Sequence, residues 1–161
     1  MTADDQQERL DPRWIAGFVD GEGCFHVSIN QHPRMPVKWQ VLPEFRIVQL
    51  RRDGALLRRI QRFFQAWKVV VNRGDRKELR IRKLNELRQV VQTLNQYQLM
   101  SKKRKDFELF SKIIDRMKRR ERLTSEGLTK IANLSWQMNR KVKPRYLESS
   151  ETLRRKSPAG D

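Results

Sequence analysis

Ile15-Ala16-Gly17-Phe18-Val19-Asp20-Gly21-Glu22-Gly23 is the stretch on which the reading of this chain turns. Asp11-Pro12 stands just before it, a good helix cap followed by a residue favoured at the first helical position. The spacing predicts a short helix over Arg13 to Asp20, ended by Gly21-Glu22-Gly23. Ala16 and Gly17 lack bulk, so a second helix backbone can approach that face closely. A short helix packed inside its own chain would also explain the small residues, but not the acids that follow. Asp20 and Glu22 fall at the helix C-terminus, where the dipole disfavours negative charge. Acids there are costly unless a cation compensates. Glu22 between two glycines, beside free helix-end carbonyls, has the makings of a hard-cation site built from oxygen ligands.

Downstream, Cys24 to Gln31 alternates, with Phe25, Val27 and Ile29 on one face and Cys24, His26, Ser28 and Asn30 on the other. Such a period of two marks a strand with one buried face. Trp39 to Gln49 alternates again, placing Trp39, Val41, Phe45 and Ile47 opposite Gln40, Leu42, Glu44 and Arg46; Pro43 implies a bulge or an edge. An amphipathic helix is expected over Ala55 to Trp67, with short strands over Val69 to Asn72 and Leu79 to Arg82 joined by the turn Arg73-Gly74-Asp75. Helices follow over Leu84 to Tyr97, from Ser101 to about Arg120, and over Leu123 to Met138. The order α-β-β-α-β-β-α, plus further C-terminal helices, is an α+β plan with helices on one face of an antiparallel sheet. No second copy of the first-helix pattern occurs.

The nine residues from Ile15 to Gly23 resemble the signature of LAGLIDADG homing endonucleases at all nine positions, with Ile, Phe and Val at aliphatic sites and Glu for the final Asp. One motif in 161 residues is similar to the homodimeric branch. The resemblance implies the αββαββα fold with a saddle-shaped sheet, over residues 10–147. It leaves residues 1–9 as an N-terminal tail and 148–161 as a flexible C-terminal tail. It implies that two first helices pair through Trp14, Ala16, Gly17 and Asp20, bringing two Glu22 carboxylates together. Glu22 would then be the metal ligand and Gly21 a backbone-carbonyl ligand for Mg²⁺, with Mn²⁺ able to substitute. The resemblance also implies that Gln49 orients water and that Lys102 stabilises charge at the phosphate, with Lys103 as the alternative one residue away. Where many members carry a further basic residue, this chain has Asp53, preceded by Arg51 and Arg52. No third catalytic residue is carried over.

Composition points the same way. Lys and Arg number 36 against 19 Asp and Glu, a formal charge of +17. Surfaces that only need solubility mix both signs, so the expected partner is a polyanion, first nucleic acid. Cys24 is the single cysteine, which excludes an intramolecular disulfide and fits a reducing compartment. No apolar run approaches the roughly 18–20 residues that span a bilayer. A polar start containing Asp4, Asp5 and Glu8 is unlike a secretion or transit segment. An intracellular setting without membrane contact is expected, in a prokaryotic cytoplasm or an organelle matrix or stroma.

The polar strand faces offer His26, Ser28, Asn30, Gln40, Glu44, Arg46, Arg73, Glu78, Arg80 and Arg82. Their mix of donors and acceptors suits base edges in the major groove of double-stranded DNA. A strand of eight residues spans about 26 Å, or about 8 base pairs, so a dimer reads on the order of 16–20 base pairs as a pseudo-palindrome. Ser101 to Arg122 holds ten Lys/Arg against four Asp/Glu, and with Arg140, Lys141, Lys143 and Arg145 it can hold phosphates without reading sequence. The leading expectation is an intron-encoded homing endonuclease that hydrolyses DNA with a divalent metal. The alternatives are an RNA maturase assisting intron splicing and a DNA-binding regulator that has lost cleavage.

Overall fold

Asp11 opens the first helix as its composition predicts, its side chain accepting the Arg13 amide at 2.6 Å with Pro12 at the first helical position. In the computed structural model, which describes residues 9–67, 69–71, 74–138 and 143–149, the elements run in the expected order. They are α1 (Pro12–Glu22), β1 (Gly23–Gln31), β2 (Trp39–Leu50), α2 (Gly54–Phe63), β3 (Val69–Val71), β4 (Arg76–Ile81), α3 (Leu84–Gln96), α4 (Lys103–Lys118) and α5 (Ser125–Trp136). Short 3-10 turns precede α2 at Arg51–Asp53 and α5 at Glu121–Leu123. The strands form one sheet in the order β1-β2-β4-β3, with β2–β4 and β3–β4 antiparallel.

The chain divides into two compact units. One combines the chain up to Phe25 with Glu44–Arg104; the other combines His26–Pro43 with the residues from Lys105 on. In the first, Ile15, Val19, Phe25, Phe45, Ile47, Leu57, Ile60, Leu79, Ile81, Leu87 and Leu94 are buried. Phe45 sits among rings, 5.3 Å from Phe25 and 5.9 Å from Phe64 between centroids. Each buried ring of this kind contributes on the order of 3–5 kcal/mol over alanine. In the second unit Val27, Ile29, Val41, Phe110, Ile113, Leu128 and Ile131 are buried. There Thr124 caps α5 by accepting the Gly127 amide at 3.1 Å. Gly127 is required by close approach, since a Cβ would lie 2.1 Å from the Glu121 carbonyl oxygen.

The differences from the sequence reading fall at element ends. α1 continues through Glu22, so the acid belongs to the last helical turn; the Gly23 amide closes that turn on the Val19 carbonyl. α2 stops at Phe63 rather than Trp67, because Gln65 takes a left-handed φ of 51° and the Ala66 amide turns back to Gln61 O at 2.9 Å. Trp67, expected on the buried stripe, is 76% exposed, with the Lys83 ammonium 4.5 Å from its ring centroid. β4 begins at Arg76, three residues earlier than expected, because its ladder with β2 extends to Leu50↔Arg76. That ladder covers Phe45 to Leu50, so Pro43 lies beyond it and its missing amide costs no bond to β4. Arg73, the expected end of β3 at Asn72, most of the expected basic loop (residues 139–142) and both tails as far as residues 1–8 and 150–161 lie outside the described residues.

Candidate functional site at the end of α1

The exposed stripe of α1 contains Trp14, Gly17, Gly21 and Glu22. A Cβ on Gly17 or Gly21 would meet nothing within 4 Å, so neither glycine is there to fit this chain's own packing. Trp14 is 43% exposed and stacks on Phe18 with centroids 5.0 Å apart. Ala16, expected on the same pairing face, is instead buried at 6% exposure. The helix rotates by about 100° per residue, which separates two small neighbours onto different faces.

At the end of this stripe the Glu22 carboxylate accepts a hydrogen bond from Gln49 Nε2 at 3.1 Å. The structure therefore brings together two residues that lie 27 positions apart and were both expected at the site. Glu22 makes no ion pair among the described residues, an unusual state for an acid at a helix C-terminus.

Lys103, not Lys102, reaches this helix end. Its ammonium donates to the Val19 carbonyl at 3.1 Å and to the Gly21 carbonyl at 3.3 Å, satisfying acceptors that a helix C-terminus leaves open. Lys102 is exposed and makes no such bond. One step along the chain at the start of α4 turns a side chain through about 100°, which is why adjacent lysines have different surroundings.

Asp20 fixes that arrangement. It accepts from the Met100 amide at 2.8 Å, the Ser101 amide at 2.9 Å and the Ser101 hydroxyl at 2.5 Å. Ser101 Oγ in turn accepts the Lys103 amide at 3.1 Å. Burial alone would raise the Asp20 pKa; the Ser101 hydroxyl, the Met100 and Ser101 amides and the Lys103 charge together outweigh it and hold the carboxyl below its ordinary value. Asp20, expected on the pairing face, is thus spent within its own chain.

The described residues contain no group of three or more His, Cys, Asp or Glu side chains placed to hold a metal ion. One chain supplies one carboxylate, from Glu22, and the helix-end carbonyls. These are oxygen donors suited to a hard cation. The Lys103 ammonium on Gly21 O shows that this end of α1 accepts positive charge. A carbonyl has two lone pairs, so Gly21 O can accept from Lys103 and still face a metal.

At the position without a basic residue, Asp53 lies 3.8 Å from Arg52, while Arg51 pairs with Asp75 at 3.8 Å. Sequence reasoning missed Lys77, which the ladder places directly opposite Gln49. Its side chain lies over Gly54, where an added Cβ would come 2.8 Å from Lys77 Cδ. Strand alternation counted back from Leu79 would have put Lys77 on that face.

The residues expected to read bases are treated unequally. Glu44 and Glu78 are buried, at 6% and 1% exposure, and are not offered to a ligand directly. Glu44 pairs with Arg82 at 2.5 Å, Arg80 at 3.6 Å and Arg46 at 3.8 Å; Glu78 pairs with Arg80. Among the residues of the second unit, His26 and Asn30 are exposed and Ser28 and Gln40 half-buried. Of the residues expected to hold phosphates, Lys143 has its ammonium 5.3 Å from the Trp136 ring centroid. Arg73, Arg140 and Lys141 lie outside the described residues.

Residues 15–114 match the LAGLIDADG endonuclease family. "Probable intron-encoded endonuclease 2" of Neurospora crassa is 32% identical over 144 residues, 85% of this chain and 32% of that protein. The chain thus spans about a third of the length of this relative. The crystal structure of the homing endonuclease I-TnaI superposes with a TM-score of 0.83 at 44% identity, over 89% of this chain and 98% of the other. The LAGLIDADG meganuclease I-CpaMI, bound to uncleaved DNA, superposes with a TM-score of 0.82 at 27% identity, over 91% of this chain but 50% of its own. The match to the family covers most of the chain and carries with it the helix that ends in Glu22 and the strand that ends near Gln49, so the chain belongs to the LAGLIDADG endonuclease family of homing endonucleases.

Proposed function

We propose that two copies of this chain pair through the exposed stripe of α1 and cut both strands of a long, pseudo-palindromic DNA site by metal-dependent hydrolysis, with Mg²⁺ as the working ion. The observation that carries this reading is the state of Glu22: a carboxylate at a helix C-terminus, held by Gln49 and paired with no cation among the described residues, on a helix face where Gly17 and Gly21 have open space above them. I-CpaMI, which binds DNA, has a chain twice the length this one covers, which supports two copies here doing the work of one longer chain.

In such a pair each Glu22 and Gly21 carbonyl would hold a divalent ion. When bound, the ion lowers the pKa of water and stabilises the attacking and leaving oxygens of the phosphodiester. Gln49 orients the Glu22 carboxylate through its amide. The Lys103 ammonium, lodged at the same helix end, is placed to offset charge that builds on the phosphate. Asp20 holds the start of α4 to α1 through Met100 and Ser101 and so keeps Lys103 in reach.

The experiment is cleavage of a randomised double-stranded DNA library in Mg²⁺, with Mn²⁺ and Ca²⁺ in parallel and sedimentation on the recovered site. Cutting at one long sequence in Mg²⁺ and Mn²⁺, by a dimer, is the expected result. In Ca²⁺, whose coordination is looser, binding without cutting is expected. Binding to intron RNA with no DNA cut would favour a maturase; a specific DNA complex that never cuts would favour a regulator.

A further inference from the structure

On the face of β2 and β4 that points away from the core, within one compact unit, Glu44 and Glu78 are paired with Arg46, Arg80 and Arg82, and Arg76 lies on the same face at the start of β4. Arg46 and Arg80 are direct cross-strand partners, as are Val48 and Glu78. Like charges directly opposite each other are destabilising, so this register needs anions nearby. Glu44 and Glu78 supply them, and both are buried while the arginines are only partly so: the Arg46, Arg80 and Arg82 side chains are 38%, 32% and 58% exposed. Both hydrogen bonds are donated by Nε, from Arg82 to Glu44 and from Arg80 to Glu78. A guanidinium has five N–H donors, so a bond from Nε leaves the terminal pair uncommitted to that bond. The Glu78 hydrogen bond, with the charges of Glu78 and Glu44, also raises the Arg80 pKa against the effect of burial.

We propose, building on the DNA-cutting reading above, that Glu44 and Glu78 are positioning residues for base recognition: they fix the forks of Arg80 and Arg82 for guanine and offset part of the local charge. A fixed fork matches the two acceptors of guanine in the major groove, whereas a loose cation binds any phosphate. Two carboxylates among these arginines offset part of the attraction the patch would have for backbone alone. The acids act through the arginines and touch no DNA.

The test is selection of bound sites from a randomised duplex library in Ca²⁺, using the full chain and its Glu78→Gln, Arg80→Ala and doubly substituted forms. Glu78→Gln should reduce a guanine preference at one symmetric pair of positions by roughly 10-fold, within the range of a lost bidentate contact. Affinity for competitor DNA should hold or rise, and the salt dependence should steepen by up to about one phosphate equivalent. In the Arg80→Ala background, Glu78→Gln should change no base preference. Arg80→Lys keeps the charge without the fork and should lose the same preference, which preserves the test if Glu78→Gln fails to fold. An unchanged preference in Glu78→Gln or in Arg80→Lys, an equal loss of affinity for all sequences, or full additivity of the pair would overturn the proposal. A parent chain that selects no DNA sequence would sink the DNA reading itself; a parent that selects one while the variants leave it intact would sink only this inference.

Discussion

The end of α1 and the β2–β4 face use the same kind of side chain in opposite ways. On the sheet, Glu44 and Glu78 are buried and each is bonded to an arginine. At the helix end, Glu22 stays exposed and has a neutral amide as its partner, although the dipole there disfavours its charge. Burying a charge is costly unless it is paired, so the sheet acids are complete within one chain. The Glu22 site is not: its charge meets no cation among the described residues, and Gly17 and Gly21 on its face have empty space above them. One region is finished by folding; on the proposed function, the other is completed by a second chain, a metal and a phosphate.

That contrast can be broken most severely at Gly17. Gly17→Leu places bulk where nothing lies within 4 Å, so the single chain should fold as before and gain helix propensity of up to about 1 kcal/mol. Pairing through α1 should be lost, and cleavage with it. A melting scan, sedimentation and a cleavage assay on one preparation check this; a Gly17→Leu protein that still dimerises and cuts would mean the open face is not an interface.

A smaller effect is expected from the lysines. Lys103→Ala should slow cleavage on the order of 10²-fold, the usual scale for one charge-stabilising donor, while Lys102→Ala stays close to the parent. Single-turnover rates at saturating protein distinguish the two, and the reverse ranking would return the assignment to Lys102.

Asp20 should matter to stability. Asp20→Asn should cost on the order of 1 kcal/mol, comparable to loss of a helix cap, because an amide accepts fewer of the bonds from Met100 and Ser101. Its carboxyl is held below the ordinary value of 3.8, so the stabilisation it gives is present in full above that value and is lost as pH falls through the lower folded value. Denaturant midpoints measured from pH 7 down to pH 3 should therefore converge for the parent and Asp20→Asn at the acid end. A constant gap would show that the carboxylate charge is not what holds the loop.

The least effect is expected at Asp75, whose pairing with Arg51 is exposed on both sides. Asp75→Asn should change stability by less than about 1 kcal/mol, as surface ion pairs do. A larger loss in a thermal melt would show that this hairpin depends on the pair, and that exposure does not separate structural acids from idle ones here.

Much of this was legible in the sequence, for identifiable reasons. The alternation of Phe25, Val27 and Ile29 predicted a strand with one buried face because a strand has a period of two, and all three side chains are buried. The family resemblance put Glu22 and Gln49 at one site, but neither the helix continuing through Glu22 nor the bond between the two residues was legible in the motif. Periodicity gave less where the backbone ends an element: nothing in the apolar spacing of Leu57, Ile60 and Phe64 reveals that Gln65 turns left-handed before Trp67. Alternation placed Glu44 and Glu78 on the polar face but could not show that they were buried there. Opposite charges two residues apart along one strand, Glu44 with Arg46 in β2 and Glu78 with Arg80 in β4, were the available sign of pairing. Lys102 and Lys103 could not be separated without knowing where α4 begins.

On the proposed function, the Glu22 charge serves metal-dependent chemistry and not DNA affinity. Glu22→Gln keeps the side chain's size and can still meet Gln49, but it removes the anion. Binding and nicking should be measured for the parent and Glu22→Gln on one selected DNA site in Mg²⁺. The variant should bind as tightly as the parent, or more tightly because it no longer repels phosphate, and cut neither strand. Cutting at the parental rate by Glu22→Gln would contradict this and place the catalytic acid elsewhere.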